Sequence, residues 1–164
     1  IAAAALIGVL SEVVGQRAVN VVNAMHLATG RGIAVERTRL TPRDDYAEYL
    51  EVRLTGEEES IRVGGAVLEG AHPRVVRIGD YHVDILPRGD LVLLRNRDVP
   101  GVIGRVGTAL AAAGINIGQY NVARLEAGGQ ALAAIGGDAR LSAEHMETLR
   151  ALPEVTAVRQ VELD

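Results

Sequence analysis

The sequence predicts an α+β protein, in which a mixed region of helices and antiparallel strands precedes a second unit with the element order βαββαβ. Three observations lead to this fold class. Hydrophobic residues make up 48% of the 164 residues, which is enough to build a core. Apolar residues recur at helical spacing near the start and again after residue 100. Elsewhere, short apolar runs alternate with turns rich in Gly, Pro and Asp, which is typical of strands.

Residues 1 to about 30 are predicted to be helical. In the first segment, apolar residues at i, i+3, i+4, i+7 and i+8 share one helix face. These residues are Leu6, Val9, Leu10, Val13 and Val14. A second segment carries Val21, Val22, Met25 and Leu27, and the glycines at positions 30 and 32 end it. Because the chain begins within an apolar helix and without Met, we expect it to be a piece of a longer protein, with no signal peptide.

Four extended segments are predicted next, over residues 33–40, 46–55, 60–69 and 74–86. The last segment is expected to turn back as a hairpin at Gly79 and Asp80. The run Pro87-Arg88-Gly89-Asp90 then combines residues that interrupt strands and helices. We place a domain boundary there, so that residues 1–88 form a first domain and residues 89–164 a second.

The second domain alternates strands and helices. Strands are predicted over residues 91–95, 115–124, 130–135 and 155–163, and helices over residues 100–114 and 142–152. The residues of the first helix expected to face inward are Ile103, Val106, Leu110 and Ala113. The second helix is expected to have Ser142 as its N-cap and Arg150 in its last turn. The order βαββαβ is the ferredoxin-like arrangement, an antiparallel sheet with two helices on one face.

Composition and charge exclude several functions. The net charge of −4 offers no general attraction to nucleic acid or anionic membranes, and no apolar run is long enough to span a membrane. RNA-binding proteins of this fold stack bases on aromatic side chains of the central strands, and residues 91–94 and 130–135 contain none. The lack of cysteine excludes disulfides, cysteine nucleophiles, iron–sulfur clusters and thiolate zinc sites, and it fits a cytoplasmic protein.

The sequence shows no catalytic or metal-binding constellation. The four histidines, at positions 26, 72, 82 and 145, lack the spacing of metal ligands and have no evident carboxylate partner. The glycines at positions 101, 104 and 107 follow a proline turn and do not match the Gly-x-Gly-x-x-Gly motif of dinucleotide sites. We therefore expect no catalytic residue, metal or cofactor in this chain, and a binding module rather than an enzyme.

The most informative stretch runs from residue 96 to residue 104, together with Asn116. Pro100 suits the first turn of a helix, whose free N–H groups and dipole attract a carboxylate. Asp98 stands beside them as an acceptor for an ammonium group, and Asn116 begins the neighbouring strand with donors and an acceptor. A free α-amino acid needs this combination. The alternative is structural: Asp98 caps the helix and Asn116 tolerates the turn after Gly114.

The glycines at positions 101, 104 and 107 of the same helix leave a flat strip. Each glycine inside a helix costs about 1 kcal/mol relative to alanine, so a packing reason is expected. The strip fits either a contact with another subunit or tight packing of the helix on its own sheet.

The first domain carries basic residues that suggest a candidate anion site. They are Arg43, Arg53, His72, Arg74, Arg77, His82 and Arg88. Arg74 and Arg77 bracket the start of a strand and are the residues we favour. Acidic residues are interspersed among them, so an ordinary solvated surface is the alternative.

Three motifs carry a resemblance: RDVPGVIG at residues 97–104, AGINI at residues 113–117 and LPEV at residues 152–155. With them, residues 91–163 resemble the ACT domain, the amino-acid-sensing module of metabolic enzymes. They are most similar to the C-terminal ACT domain of D-3-phosphoglycerate dehydrogenases. Residues 1–88 resemble the intervening domain that precedes it in the long form of that family.

The resemblance implies that L-serine binds between two ACT domains of a homodimer and inhibits the NAD-dependent oxidation of 3-phosphoglycerate by a separate catalytic domain. The groups that would bind serine are the side chains of Asn96, Asp98 and Asn116 and the backbone amides of Gly101, Val102 and Ile103. The resemblance also implies a phosphorylated ligand on the first domain. The alternatives are the ACT module of another amino-acid enzyme, such as a serine dehydratase, and a purely oligomerising domain.

Overall fold

The computed structural model of the chain describes residues 2–15, 17–39 and 48–163. The backbone divides into two compact units, residues 1–42 and 43–164. Each unit has its own hydrophobic core. None of the described helices is long and apolar enough to cross a membrane.

The described residues of the first unit form two helices, α1 (Ala2–Val14) and α2 (Ala24–Gly30). Their shared core is formed by Leu6, Leu10, Val19, Ala24 and Ala28. The prediction of two helical segments is confirmed, and the second segment ends at Gly30 as expected.

Three apolar residues predicted to pack in this unit are exposed instead: Val13 by 73%, Val21 by 68% and Val22 by 87%. Val21 and Val22 precede α2 because the side-chain Oδ1 of Asn20 accepts hydrogen bonds from the N–H groups of Val22 and Asn23, which builds a turn. The strand predicted over residues 33–40 is wrong for residues 33–39, which form no regular element. The described part of the unit offers no second strand with which this segment can pair.

The second unit begins with an antiparallel sheet of four strands in the order β1-β2-β3-β4. The strands are β1 (Glu48–Thr55), β2 (Ser60–Leu68), β3 (His72–Ile78) and β4 (Tyr81–Ile85). The extended segments predicted here are confirmed, apart from residues 46 and 47, which lie outside the described residues. The hairpin between β3 and β4 is also confirmed, and Gly79 takes a positive φ of 57° in its turn.

A second antiparallel sheet follows, with two helices packed on one face, which confirms the predicted βαββαβ order. Its elements are β5 (Gly89–Arg97), α3 (Val102–Ala112), β6 (Ile117–Arg124), β7 (Gln130–Gly137), α4 (Ala143–Arg150) and β8 (Val155–Leu163). The strand order is β6-β7-β5-β8, so that β6 and β8 are the edges. Ser142 caps α4 as predicted, because its hydroxyl oxygen accepts a hydrogen bond from the N–H of His145 at 3.2 Å.

Strand β5 begins earlier than predicted. Gly89 and Asp90, which we expected to belong to a turn, are its first residues and pair with Leu163 and Glu162 of β8. The final strand extends far enough to offer partners to the backbone of both residues, which explains the difference. The domain boundary predicted at residue 88 falls between β4 and β5 and stays a prediction.

The main core lies between the second sheet and its helices. It is formed by Val92, Leu94, Val102, Val106, Leu110, Ala133, Ile135, Leu141, Met146, Leu149 and Val158. Val106 and Leu110 face inward as predicted, whereas Ile103 is 59% exposed and Val102 is buried. The prediction for Ile103 is wrong because the buried face follows the four-residue spacing of Val102, Val106 and Leu110.

The opposite face of the second sheet is covered by the first sheet. The residues that pack there are Tyr81, Val83 and Ile85 with Leu91, Ala123, Leu132 and Ala134. Gln119 of β6 ties the two sheets together, because its Oε1 accepts from the N–H of Leu86 and its Nε2 donates to the carbonyl of Leu86, both at 3.2 Å. The two sheets therefore form one layered unit, with α3 and α4 on the outer side of the second sheet.

Candidate ligand site at the end of strand β5

The turn between β5 and α3 contains the first predicted site residues. Asn96 is 5% exposed, and its Nδ2 donates to the carbonyl of Arg97 at 2.7 Å. This bond fixes the backbone that leads to Asp98. Pro100 precedes the helix rather than opening it, because Gly101 is the N-cap residue, with a left-handed φ of 91°. The placement of Pro100 in the first helical turn is therefore wrong.

Asp98 is anchored to the turn between β6 and β7. Its N–H donates to the carbonyl of Gly129 at 2.8 Å. Its Oδ2 accepts from the N–H of Gly128 at 3.2 Å and from Nη1 of Arg124 at 3.1 Å. The hydrogen bond from Gly128, followed by that from Arg124, holds the pKa of Asp98 below its usual value. The carboxylate is thus ionised and fixed, and it does not cap α3, so this part of the structural alternative is wrong.

The amides at the start of α3 are open. The N–H of Arg105 bonds to the carbonyl of Gly101 at 3.0 Å and begins the bonding of the helix. Among the described residues, the N–H groups of Gly101, Val102 and Ile103 meet no acceptor. These groups lie at the positive end of the helix dipole, where they are able to receive a carboxylate.

Asn116 lies immediately before β6 and is fixed by its backbone. Its N–H donates to Oδ1 of Asp138 at 3.0 Å, and its carbonyl accepts from the N–H of Asp138 at 3.2 Å. Its side-chain amide is exposed and makes no hydrogen bond with any residue that the structure describes. The amide is therefore available to a ligand or to another chain.

Within one chain, Asn116 and Asp98 lie at opposite ends of the second sheet. Strand β7 separates β5 from β6, and both pair with it in antiparallel fashion, so β5 and β6 run in the same direction. Ala131 of β7 pairs with Asn96 and Arg124, whereas Ile117 pairs with Gly137 at the far end. At about 3.3 Å per residue, β6 spans about 23 Å. Placing Asn116 on the strand next to β5 is therefore wrong, and the side chains of Asn116 and Asp98 do not meet within one chain.

The free edge of β6 adjoins an open, apolar flank of α3. A Cβ atom added at Gly104 or Gly107 would meet no heavy atom of the described chain within 4 Å, which excludes tight packing of this strip on its own sheet. Ile103 and Val122 are also 59% and 42% exposed. Val122 lies on the helix side of the sheet, because its partner Ala133 belongs to the main core. We call Ile103, Gly104, Gly107 and Val122 the edge surface.

The position of the edge surface follows from an ion pair on the other flank of α3. Arg105 contacts Glu154 at 2.8 Å between Nη2 and Oε1, so that flank faces the end of α4 and the start of β8. Helix geometry then places Ile103 and Gly107 on the flank of α3 nearer to β6, and Gly104 beside them on the outer face of the helix.

Comparison of the sequence with known proteins identifies the family to which the chain belongs. Residues 1–79 match the family described as the D-3-phosphoglycerate dehydrogenase intervening domain, and residues 91–154 match the ACT domain. The chain is 32% identical over 145 residues to the D-3-phosphoglycerate dehydrogenase of Bacillus subtilis, covering 88% of this chain and 28% of that protein. This chain belongs to the D-3-phosphoglycerate dehydrogenase family.

Two further relatives carry the same name. The D-3-phosphoglycerate dehydrogenase of Methanocaldococcus jannaschii is 29% identical over 145 residues, covering 88% of this chain and 27% of that protein. D-3-phosphoglycerate dehydrogenase 3, chloroplastic, of Arabidopsis thaliana is 30% identical over 155 residues, covering 87% of this chain and 26% of that protein. The chain thus spans little more than a quarter of these dehydrogenases and corresponds to their C-terminal region, an intervening domain followed by an ACT regulatory domain.

Sequence reasoning misses two members of the site in this dehydrogenase region, Arg124 and Gly128. Both bind Oδ2 of Asp98, although they lie 26 and 30 residues away along the chain. Their only signal in the sequence is a basic residue at the end of a strand that precedes a glycine turn, and this pattern is common in hairpins. The pairing of β7 with both β6 and β5 brings them to Asp98.

The candidate anion site of the dehydrogenase region lies on the face of the first sheet that points away from the ACT domain. Arg74 is paired there, with its Nε 3.1 Å from Oδ1 of Asp84. Arg77 contacts the imidazole of His82 at 2.9 Å between Nη2 and Nε2, and it has no carboxylate partner in the described chain. The geometry therefore favours Arg77 over Arg74, and the anion site stays a prediction. Arg43 lies outside the described residues.

Proposed function

We propose that this region of the dehydrogenase binds L-serine at its ACT domain, between two copies of the chain, and that binding inhibits a catalytic domain that oxidises 3-phosphoglycerate with NAD. The observation that carries the proposal is the position of Asp98, a fixed and ionised carboxylate close to the open amides at the start of α3. An α-amino acid matches this pair because its ammonium and carboxylate groups are adjacent and opposite in charge. NAD is assigned to the catalytic domain, since no glycine-rich loop of this chain fits a dinucleotide.

A pair of chains joined at β6 completes the proposed site. When β6 pairs in antiparallel fashion with β6 of a partner subunit about a two-fold axis, the start of one strand lies beside the end of the other. Asn116 of the partner subunit then lies beside Arg124 and Asp98. The unpaired edge of β6 in the described chain and the exposed edge surface support this pairing. Symmetry produces two identical sites in each dimer.

The size of the ligand limits its affinity. Serine has about seven heavy atoms, and a maximum of about −1.5 kcal/mol per atom limits its binding free energy to about −10 kcal/mol. We expect dissociation constants in the micromolar to millimolar range, which suits a metabolite. Coupling of about 1–3 kcal/mol to the catalytic domain would change activity by about five- to 150-fold.

The substitution Asn116→Ala tests the two-chain site. We expect at least a tenfold loss of L-serine affinity, because the amide is proposed to contact the ligand. We expect the free energy of unfolding without serine to change by less than about 0.5 kcal/mol, since the exposed side chain makes no bond in the described chain. Calorimetric titration measures the first quantity and urea denaturation the second. Thr156→Ala, at an exposed position on the opposite edge strand, is the control.

The outcomes separate the candidate functions. Unchanged serine affinity in Asn116→Ala would contradict the site, and the absence of serine binding to the wild-type chain would contradict the function. Dimerisation without any amino-acid binding would instead indicate a purely oligomerising domain. Tighter binding of glycine or L-alanine, titrated alongside, would assign a different small amino acid to the site.

A further inference from the structure

Arg124 is the last residue of β6 and reaches the carboxylate of Asp98. Its Nη1 lies 3.1 Å from Oδ2 of Asp98, and the N–H of Gly128 binds the same oxygen at 3.2 Å. The second oxygen, Oδ1, accepts no hydrogen bond from any residue that the structure describes. Asp98 is therefore held firmly through one oxygen while the other is open to an ammonium group.

The guanidinium of Arg124 is also incompletely used. Its side chain is 62% exposed, and its one described partner is Asp98. A guanidinium carries five N–H donors in a planar fork, which fits both oxygens of a carboxylate. Most of these donors are left for a ligand, and an exposed ion pair of this kind is easily rearranged.

The other arginines of the turn are already engaged. Nη2 of Arg97 donates to the carbonyl of Pro153 at 3.3 Å, and Arg105 is paired with Glu154 at 2.8 Å. Arg124 and its partner Ala131 lie on the helix side of the sheet, in line with Val122 and Ala133. Arg124 thus lies on the same side of the sheet as the open end of α3, and its guanidinium has more donors left unused by the described chain than that of Arg105.

We infer that Arg124 joins the open amides of α3 in binding the α-carboxylate of the amino-acid ligand while Asp98 binds its ammonium group, so that Arg124 and Asp98 together recognise a zwitterion. This inference rests on the proposed function. Arg124 and Asp98 place opposite charges side by side, as the ammonium and carboxylate groups of the ligand do. When the ligand binds between them, the ion pair of Arg124 with Asp98 is replaced by two, one from each side chain to the ligand. A free α-carboxylate then becomes a condition of binding.

The test compares L-serine with L-serinamide, in which an uncharged amide replaces the carboxylate, by calorimetry on the whole chain. We expect the wild-type chain to prefer L-serine, and Arg124→Gln to lose roughly tenfold in affinity for L-serine with little change for L-serinamide. Arg124→Lys, which keeps the charge but not the fork, should restore part of the affinity. Arg150→Gln is the matched control, because it removes another exposed arginine that is paired with a carboxylate, that of Glu147, on the surface of α4.

Each outcome has one meaning. Collapse of the preference for L-serine in Arg124→Gln supports the inference. An equal loss for both ligands would mean that Arg124 only positions Asp98, and a gain for both would mean that it competes with the ammonium group; either result overturns the inference while the proposed function stands. Absence of any L-serine binding to the wild-type chain overturns both.

Discussion

Asp98 combines a structural and a chemical role in one side chain. Its backbone N–H and its Oδ2 hold the turn between β6 and β7, through Gly129 and Gly128, against the start of α3. The same bonds stabilise the ionised carboxylate, which is the form that attracts an ammonium group. Removal of Asp98 is therefore expected to affect both folding and ligand binding.

We expect Asp98→Asn to lower stability at neutral pH and to have no effect in acid. Because the folded state lowers the pKa of Asp98, the stabilisation is present above the unfolded-state pKa of about 3.9. It is lost as the pH falls through the lower pKa of the folded state. Thermal denaturation of both proteins between about pH 2 and pH 7 measures the Tm difference, which should vanish at the acid end. A constant difference at every pH would contradict the prediction, and Glu147→Gln on the surface of α4 is the control.

For single residues, the sequence predicts which chemical groups are present better than it predicts which residues they contact. The acceptor role of Asp98 follows from its residue type and its place before a helix. The role of Arg124 does not, because a bond across 26 residues depends on β7 pairing with β5 as well as with β6. Asn96 illustrates the same limit, since its Nδ2 is used on the carbonyl of the next residue.

Among the elements, β6 connects the two sheets of the second unit. Gln119 binds both backbone groups of Leu86 just after β4, and it lies opposite Gly136 of β7. A Cβ atom at Gly136 would lie 2.7 Å from Cγ of Gln119 and 2.9 Å from its Nε2. The absence of a side chain at Gly136 therefore gives the Gln119 amide its path to Leu86.

Gly136→Ala is expected to lower the free energy of unfolding by about 1–3 kcal/mol, because the new methyl group displaces the Gln119 side chain. The cost should shrink when Gln119→Ala is also present, with a coupling energy of about 0.5–3 kcal/mol in a double-mutant cycle. Urea denaturation of the four proteins measures it. Additive effects would show that the two residues act independently. Gly118→Ala is the control, because its nearest contact would be an ordinary 3.7 Å.

Hydrophobic periodicity and turn residues predict most helices and strands of this protein. The errors occur where a single residue shifts the start of an element or changes which of its side chains face the core. The left-handed Gly101 moves the start of α3 to Val102, which buries Val102 and exposes Ile103. Gly89 and Asp90 have the composition of a turn but belong to β5, because β8 is long enough to pair with them. Such effects depend on neighbouring elements and are invisible to a local pattern.

In the whole molecule, strand order decides what one chain is able to bind. The sequence predicts the ferredoxin-like order βαββαβ with residues 91–94 and 130–135 in the central strands, and the structure confirms that β5 and β7 are central. The expectation that Asn116 begins a strand next to β5 is the part that fails, because β7 lies between β5 and β6. The resulting separation of Asp98 from Asn116 follows from the pairing of distant segments. The sequence motifs thus identify both candidate groups, and the structure gives the distance between them.

We expect two defective variants to complement each other. Asp98→Asn and Asn116→Ala should each bind little L-serine alone, because each spoils both sites of its own dimer. A mixed dimer keeps one intact site, formed by Asp98 of one chain and Asn116 of the other. Random mixing makes about half of the dimers mixed, so the expected capacity is about a quarter of that of the wild-type protein. Calorimetry after joint refolding measures it, and no recovery would contradict a site shared between chains.

Because β5 and β6 run in the same direction, each chain has Asp98 at one end of its second sheet and Asn116 at the other. Under the proposed function, a monomer holds only half of each site and does not respond to serine, whereas a dimer holds two complete sites. Dilution alone, by separating the dimer into monomers, would then abolish the response without any covalent change to the chain.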